Sequence, residues 1–248
     1  MKTIRMFAAL ALIGLASLVQ AEDKVVKLTS LEWPPYTGPQ LPEKGVSSAI
    51  VTAAFKAVGY KVEIAFYPWA RAVALAKAGQ EDFIGYFPEY HSEDIAQEFI
   101  FSAPIGSGPL GFVQNKQKPV EWNTLDDIKG LTVGTVRDYV NTADFDSRVS
   151  AGTQKVEEVT SDEQNIKKVA AGRLPLAVID RNVLNYLLEN DPTLVDARAN
   201  LEFNDKLLED KQLFVCFTKS SKGEQIARDF AEGMKQIDID AIVAKHQR

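Results

Sequence analysis

The sequence is poor in the residues that form disulfides and metal sites. Cys216 is the single cysteine, which excludes an intrachain disulfide and a cysteine-based metal centre. The two histidines, His91 and His246, are far apart and have no metal-binding or catalytic spacing. We therefore expect no metal and no cofactor. Because residues 213–217 are largely apolar, Cys216 is predicted to be a buried strand residue rather than a catalytic thiol.

Basic residues are also few, and they form no run. The chain has 28 Lys and Arg against 34 Asp and Glu, which gives a formal net charge of −6. Such a protein lacks the basic surface that binds nucleic acid or an anionic membrane. We expect no nucleic-acid partner; the expected partner is a small molecule.

Long apolar runs are missing except at the N-terminus. Lys2 and Arg5 precede an apolar stretch, residues 6–19, and Val19-Gln20-Ala21 presents the small residues that a signal peptidase recognises. This pattern predicts a cleaved signal peptide, residues 1–21, and hence a periplasmic protein. A permanent membrane anchor is the alternative, but the stretch is short for a bilayer and charged residues follow at once.

The chain does contain a regular alternation of strand and helix patterns. Residues 25–30, 61–67 and 83–87 have strand character, and residues 46–58 and 69–78 carry apolar side chains at helical spacing. This βαβαβ order predicts an α/β protein with a mostly parallel sheet.

The second half repeats the alternation. Its predicted strands are residues 131–136, 174–179 and 213–218, and its predicted helices include a short one after Thr124, one that a capping box opens at Ser161, and residues 180–189 and 222–236. Between the halves, residues 102–109 contain two glycines and two prolines, which indicates a hinge rather than a helix. Two α/β lobes joined there would form a cleft that can close around a ligand.

An aromatic turn follows the first predicted strand. Pro34 and Pro35 fix the backbone and cannot continue a sheet ladder, so Trp33 and Tyr36 lie on a stiff turn. Open α/β sheets place ligands just past their strand ends. The turn is therefore a candidate ligand platform, and a core tryptophan beside an ordinary loop is the alternative.

Five motifs then follow one another in a recognisable order. They are Glu32-Trp33-Pro34-Pro35-Tyr36, Ala78-Gly79-Gln80-Glu81-Asp82, Phe101-Ser102-Ala103-Pro104 and the segments 125–134 and 171–180. With them the chain resembles the family 3 extracellular solute-binding proteins of bacterial ABC transporters, whose best-known members bind polar amino acids.

The resemblance covers essentially all of residues 22–248 and implies a type II periplasmic-binding-protein fold, with two lobes and a hinge of two crossing strands. Lobe 1 is then expected to comprise residues 22–108 and 209–248, and lobe 2 residues 109–208. A monomer is expected, with an inner-membrane ABC permease or a sensor as a possible protein partner.

The resemblance also implies roles for individual residues. Trp33 and Trp69 match the aromatic residues that hold the ligand side chain, and Asp180 matches an aspartate that binds its ammonium group. Asp180 is also well placed to cap the following helix. The family's carboxylate-binding arginine is replaced by Ile95, which cannot form a bidentate pair with a carboxylate.

Two interpretations of the ligand follow. Arg71 or Arg137 could restore an anion site, or Glu89 and Asp180, together with the tryptophans, could bind an amine. Glu89 lies in a segment, residues 86–90, that is expected to be a loop about one residue longer than usual. The complete predicted ligand-binding set is Trp33, Tyr36, Trp69, Arg71, Tyr86, Phe87, Glu89, Arg137, Tyr139, Asn141 and Asp180.

The predicted function is binding, not catalysis. We expect closure around a small polar metabolite, amino-acid-like or amine-bearing, for ABC-type uptake or sensing. The alternative is a periplasmic enzyme on the same fold, such as a cyclohexadienyl-type dehydratase with Glu89 as its general acid. That chemistry also needs a carboxylate-binding arginine, which is the residue replaced here by Ile95.

Overall fold

The computed structural model describes residues 24–246, so the predicted signal peptide lies outside the described residues. The strands are β1 (Lys24–Ser30), β2 (Tyr60–Phe66), β3 (Phe83–Tyr90), β4 (Phe99–Phe101), β5 (Gly106–Asn115), β6 (Thr132–Val136), β7 (Lys155–Val159), β8 (Leu176–Asp180), β9 (Leu201–Phe203) and β10 (Glu209–Thr218). The α-helices are α1 (Val46–Ala57), α2 (Trp69–Lys77), α3 (Glu93–Glu98), α4 (Ala143–Ser150), α5 (Asp162–Ala170), α6 (Arg181–Asn190), α7 (Val195–Arg198), α8 (Ser221–Met234) and α9 (Ile239–His246).

The strands follow the order β2-β1-β3-β10-β5-β8-β6-β7, with β4 added beside β10 and β9 beside β5. Strands β1, β2 and β3 pair in parallel, and so do β6, β7 and β8. The predicted parallel α/β arrangement is thus present in each half of the molecule. We call the half built on β1–β4 lobe 1 and the half built on β6–β9 lobe 2.

Two long strands join the lobes. β5 and β10 pair antiparallel from Glu209 opposite Leu110 to Leu213 opposite Gly106. Beyond this shared stretch, β10 pairs with β3 in lobe 1 and β5 pairs with β8 in lobe 2. The chain therefore crosses to lobe 2 along β5 and returns along β10. The lobe limits given above remain a prediction.

Aromatic packing links the two ends of the chain within lobe 1. The ring of Phe55 on α1 lies 4.9 Å from that of Phe230 on α8 and 6.3 Å from that of Phe217 on β10. All three side chains are fully buried. The C-terminal segment therefore completes the core of the lobe in which the chain starts.

The structure corrects two details of the predicted elements. Residues 86–90, expected to be a loop, belong to β3, and a register shift between Phe214 and Cys216 gives β3 one extra residue opposite β10. The extra residue is accommodated as a bulge instead of a loop. Helix α5 begins where predicted, but the Ser161 side chain accepts no capping hydrogen bond.

The predicted hinge segment is more regular than its composition suggests. Gly106, Gly108 and Pro109 lie within β5, because that strand continues the sheet from one lobe into the other. Cys216 is buried in β10, as predicted. Within residues 24–246, no helix is both long and apolar enough to cross a bilayer.

Candidate functional site

The aromatic turn after β1 is held by backbone hydrogen bonds. The Trp33 N–H donates to the Thr37 carbonyl at 2.8 Å, and the Tyr36 carbonyl accepts from the Ser47 N–H at the start of α1. The Trp33 and Tyr36 rings stack with centroids 4.7 Å apart and an interplanar angle of 25°. The turn therefore presents both rings from a fixed backbone, as its prolines predict.

Trp69 begins α2 and reaches across to lobe 2. Its indole Nε1 donates to the Asp138 carbonyl at 2.9 Å. The rings of Tyr86 and Tyr139 meet it edge-on at 5.4 Å and 6.1 Å. Trp69 thus packs on the sheet of lobe 1 and also forms a bridge between the lobes.

Tyr36 forms a second bridge. Its hydroxyl donates to the Asp180 carboxylate at 3.1 Å and accepts from the Asn182 amide at 2.8 Å. Asp180 Oδ1 also caps α6, accepting from the N–H groups of Asn182 and Val183. Burial raises the pKa of Asp180 to about 6, although these hydrogen bonds oppose the shift.

The hinge strand passes directly against this second bridge. At Gly108, an added Cβ would collide with the Tyr36 hydroxyl and the Asp180 carboxylate. Only glycine lets the β5 backbone approach so closely. The glycine at position 108, one of the residues that indicated a hinge in the sequence, is therefore required by the close contact between the lobes.

A small cavity lies between the two lobes. It encloses about 20 Å³, which is room for about one water molecule. Its lining residues are Leu31, Trp33, Trp69, Pro88, Glu89, Tyr90, Tyr139, Val140 and Leu213. This volume is too small for a solute the size of an amino acid, so the binding of such a solute requires the lobes to move apart.

Glu89 is the only acid in the cavity lining and is almost completely buried. Burial raises the pKa of its carboxyl to about 8, although hydrogen bonds from the Tyr90 N–H and the Tyr86 hydroxyl and the charge of Lys211 oppose the rise. At neutral pH this carboxyl is therefore mostly protonated. A cation placed beside it would favour the carboxylate.

Sequence reasoning missed two residues at this interface, Asp162 and Tyr90. Burial raises the pKa of Asp162 to about 8, and the charges of Glu163 and Asp180 add to the rise. Its carboxyl approaches the Trp33 indole without reaching full hydrogen-bond geometry. The position of Asp162 in the sequence could have indicated it. Asp162 begins helix α5 shortly after strand β7, just as Arg181 begins α6 directly after β8.

Three further predicted site residues are buried but do not line the cavity. Tyr86 and Phe87 are fully buried in β3, where the Tyr86 hydroxyl contacts Glu89. Asn141 is also buried, and its side-chain amide donates to Asp146 at 2.8 Å.

The structure does not bring the two arginines to the cavity. The Arg71 guanidinium lies 4.8 Å from the centroid of the Tyr67 ring, on the surface of lobe 1. Arg137 is exposed and lies 3.9 Å from the Glu158 carboxylate. Ile95, which stands at the arginine position of the resembled family, is half-buried in α3 and packs against the core.

Solved structures share this architecture, although no family model and no curated protein matches the sequence. A histidine kinase sensor domain with similarity to periplasmic binding proteins superposes with a TM-score of 0.75 at 18% identity, covering 90% of this chain and 96% of that chain. The GluR0 ligand-binding core from Nostoc punctiforme, in complex with L-glutamate, gives 0.70 at 15% identity, covering 89% and 96%.

A transport protein matches as well. The amino acid ABC transporter substrate-binding protein AbpA from Streptococcus pneumoniae, bound to L-arginine, gives a TM-score of 0.69 at 14% identity, covering 89% of this chain and 94% of that chain. The chain has the type II periplasmic-binding-protein fold. This confirms the predicted fold class, and the type II periplasmic-binding-protein fold accounts for the two crossing strands between the lobes.

Proposed function

We propose that this chain is a solute-binding protein or sensor domain whose lobes close around a small amino-acid-like or amine-bearing metabolite. The observation that carries the proposal is the inter-lobe site itself, with Trp33 and Trp69 facing one cavity beside the buried acid Glu89. An apolar, aromatic lining with one polar group is typical of small-ligand sites. The similar sensor domains and transport proteins add support through their shared fold.

We further propose that the protein acts in the periplasm as a monomer and passes its signal or solute to an inner-membrane sensor or ABC permease. The signal-peptide pattern supports the location, and the motif order supports the partner class. Arg71, Arg137 and Asn141 remain proposed ligand contacts only for a conformation in which the lobes have moved. Tyr36 and Asp180 would then exchange their mutual hydrogen bond for bonds to the ligand.

The test is a thermal-shift screen of the purified protein against amino acids, organic acids, amines and short peptides. A ligand at about a hundred times its dissociation constant stabilises the folded state by about 2.7 kcal/mol. Trp69→Ala should abolish or strongly weaken the response while the protein stays folded. Tyr186→Ala removes a half-buried aromatic ring outside the cavity and should leave it unchanged. If no compound stabilises the protein, the solute-binding proposal is wrong.

The dehydratase alternative is favoured by one observation, the raised pKa of Glu89, which suits a general acid. It is weakened by the positions of Arg71 and Arg137, neither of which lines the cavity to hold a substrate carboxylate. Turnover of prephenate or arogenate by the purified protein would decide in its favour.

A further inference from the structure

Two buried donors at the cavity have no hydrogen-bond partner among the described residues. They are the indole Nε1 of Trp33 and the hydroxyl of Tyr90, and each residue is 6% exposed. Both residues line the inter-lobe cavity. Buried polar groups in proteins are nearly always hydrogen-bonded, and an indole N–H can only donate. A ligand that completes this site must therefore carry an acceptor.

The hinge strand β10 brings a buried cation to the same side of the sheet. Lys211 lies directly opposite Gly108 where β10 pairs with β5, so the two residues face the same side. On that side, a Cβ added at Gly108 would meet the Tyr36 hydroxyl and the Asp180 carboxylate. Leu213, two residues along β10, also faces that side and lines the cavity. Lys211 therefore lies on the cleft side of β10, next to the bridge between the lobes.

Lys211 lacks a strong anionic partner within the described part of the chain. It is 6% exposed, and its ammonium lies 3.5 Å from the carboxylate of Glu209, whose side chain is about half exposed. A buried charge is costly unless it is paired and hydrogen-bonded. Lys211 does not line the cavity itself, but its ammonium lies 5.4 Å from the ring centroid of Tyr90, which does. A buried cation is thus in contact with a residue that carries one of the two unpartnered donors.

We propose that the ligand is an organic acid whose carboxylate binds to the Trp33 indole N–H, the Tyr90 hydroxyl and the Lys211 ammonium. This inference rests on the proposed solute-binding function and gives the chemical class of the ligand. A carboxylate has two oxygens with about four acceptor positions, enough for all three donors. Hydrogen bonds between ionised partners are also about twice as strong as neutral ones. Lys211 supplies the positive charge that Ile95 cannot.

None of these three groups comes from lobe 2. Trp33 follows β1 and Tyr90 ends β3, both in lobe 1, and their rings meet edge-on with centroids 6.0 Å apart. Lys211 lies on β10, which pairs with β3 where Leu213 faces Tyr90. The carboxylate can therefore bind while the lobes are apart, and lobe 2 can then close over the rest of the ligand.

The buried acids nearby do not exclude an anion at neutral pH. Burial raises the pKa of Glu89, which lines the cavity, to about 8, so this carboxyl is mostly protonated. Burial also raises the pKa of Asp162, which approaches the Trp33 indole from lobe 2, to about 8. A ligand carboxylate beside either group would hold its proton more firmly, because like charges disfavour ionisation.

The test uses isothermal titration calorimetry of the purified protein with matched pairs of an acid and its amide. The pairs are isocaproate and isocaproamide, phenylacetate and phenylacetamide, and L-leucine and L-leucinamide, and isoamylamine has the leucine side chain without a carboxylate. Any acid found in the thermal-shift screen is paired with its amide in the same way. In every pair that binds, the acid should bind at least about tenfold more tightly than the amide.

The outcomes separate this proposal from the proposed function. If an amide, or an amine without a carboxylate, binds as tightly as the matching acid, the carboxylate proposal is overturned and solute binding stands. If these compounds and the wider thermal-shift panel all fail to bind, the proposed function itself is overturned.

Variants of Lys211 test the source of the positive charge. Lys211→Met keeps an unbranched apolar side chain but removes the ammonium, and should lower the preference for acid over amide by about tenfold or more. Lys211→Arg keeps the charge and should retain the preference. The matched control is Lys118→Met, which removes an exposed lysine outside the cavity lining and should leave the preference unchanged. An unchanged preference in a folded Lys211→Met protein overturns the assignment of Lys211.

Tyr90→Phe tests the site without removing a charge. The substitution deletes a hydroxyl that has no partner among the described residues, so the protein should stay folded, as circular dichroism can establish. Acid binding should weaken by about threefold or more, because the carboxylate loses one donor. Unchanged acid affinity in this variant overturns the placement of the carboxylate at Tyr90, whether or not Lys211→Met folds.

Discussion

At the residue scale, the buried acids determine how the protein responds to pH. Glu89 and Asp162 have pKa values of about 8 and Asp180 has one of about 6, in each case first because burial disfavours the charged form. In the unfolded chain the same groups would titrate near pH 4. Between these ranges the folded protein holds protons that the unfolded chain has released, so stability falls as pH rises.

Glu89→Gln should make stability less sensitive to pH. The substitution keeps the Oε1 acceptor for the Tyr90 N–H and removes the titrating group, and the amide NH2 that replaces Oε2 can donate to the Tyr86 hydroxyl oxygen. From pH 5 to pH 8, the loss of unfolding free energy should be smaller than in the wild type by about 1–3 kcal/mol. Urea denaturation at several pH values measures this difference.

The control for that experiment is Glu121→Gln, which removes an exposed acid that is not part of the cavity lining. It should keep the wild-type pH dependence. The groups that interact with Glu89, namely Lys211, Tyr86 and the Cys216 thiol, remain in place in both variants. Parallel pH profiles for Glu89→Gln and the wild type would mean that Glu89 does not hold its proton in the folded state.

Single residues could be predicted from the sequence only where the local chain fixes their position. Trp33 is held by a proline-rich turn and Trp69 follows a proline at a helix start, and both line the cavity. Asp162 and Tyr90 could not be chosen in advance, because their burial depends on how closely lobe 2 approaches lobe 1. Arg71 and Arg137 lie at the surface, where Tyr67 and Glu158 are their neighbours.

At the element scale, the hinge strand β5 combines sheet pairing with an unusually close contact. Its segment from Gly106 to Leu110 pairs with β10, while Gly108 faces the Tyr36–Asp180 hydrogen bond. Composition alone predicted a break here, since glycine and proline are rare inside strands. Pairing with β10, continued by pairing with β8 from Leu110 onward, outweighs that preference, which a single segment of sequence does not reveal.

Gly108→Ala should push the two lobes apart. The added methyl group overlaps the Tyr36 hydroxyl and the Asp180 carboxylate, so their hydrogen bond must break or the strand must shift. Overpacking of this kind costs about 1–3 kcal/mol. We expect lower thermal stability and a larger radius of gyration in small-angle X-ray scattering.

Gly130→Ala is the matched control, because an added Cβ there meets no atom within 4 Å. Its stability should stay within about 0.5 kcal/mol of the wild type. Equal scattering curves for Gly108→Ala and Gly130→Ala would show that the β5 backbone does not press against the bridge between the lobes.

At the scale of the whole molecule, two hydrogen-bonded bridges join the lobes, and a cavity of about 20 Å³ lies between them. One joins Trp69 to the Asp138 carbonyl, and the other joins Tyr36 to Asp180. The order of the sequence motifs could predict two lobes and a hinge, since each motif reflects local structure. It could not predict the bridges, because they join residues far apart in the chain, as with Tyr36 and Asp180, and depend on the angle between the lobes.

Tyr36→Phe should shift the molecule toward a conformation with separated lobes. The substitution keeps the ring stacked on Trp33 but removes the hydroxyl that bonds Asp180 and Asn182. A hydrogen bond to a charged group contributes about 1.5–3 kcal/mol, enough to change the populations of two conformations severalfold. We expect a larger radius of gyration without added ligand, and a return to the compact value with a ligand found in the thermal-shift screen.

Tyr60→Phe is the control, because it removes a tyrosine–aspartate hydrogen bond that does not join the two lobes. Tyr60 donates to Asp229 at 2.6 Å, and both residues belong to lobe 1. Its loss should therefore leave the radius of gyration unchanged. If Tyr36→Phe gave the same scattering and the same ligand affinity as Tyr60→Phe, the Tyr36–Asp180 bond would have no part in holding the lobes. Closure would then depend on the Trp69 bridge and on the apolar lining of the cavity.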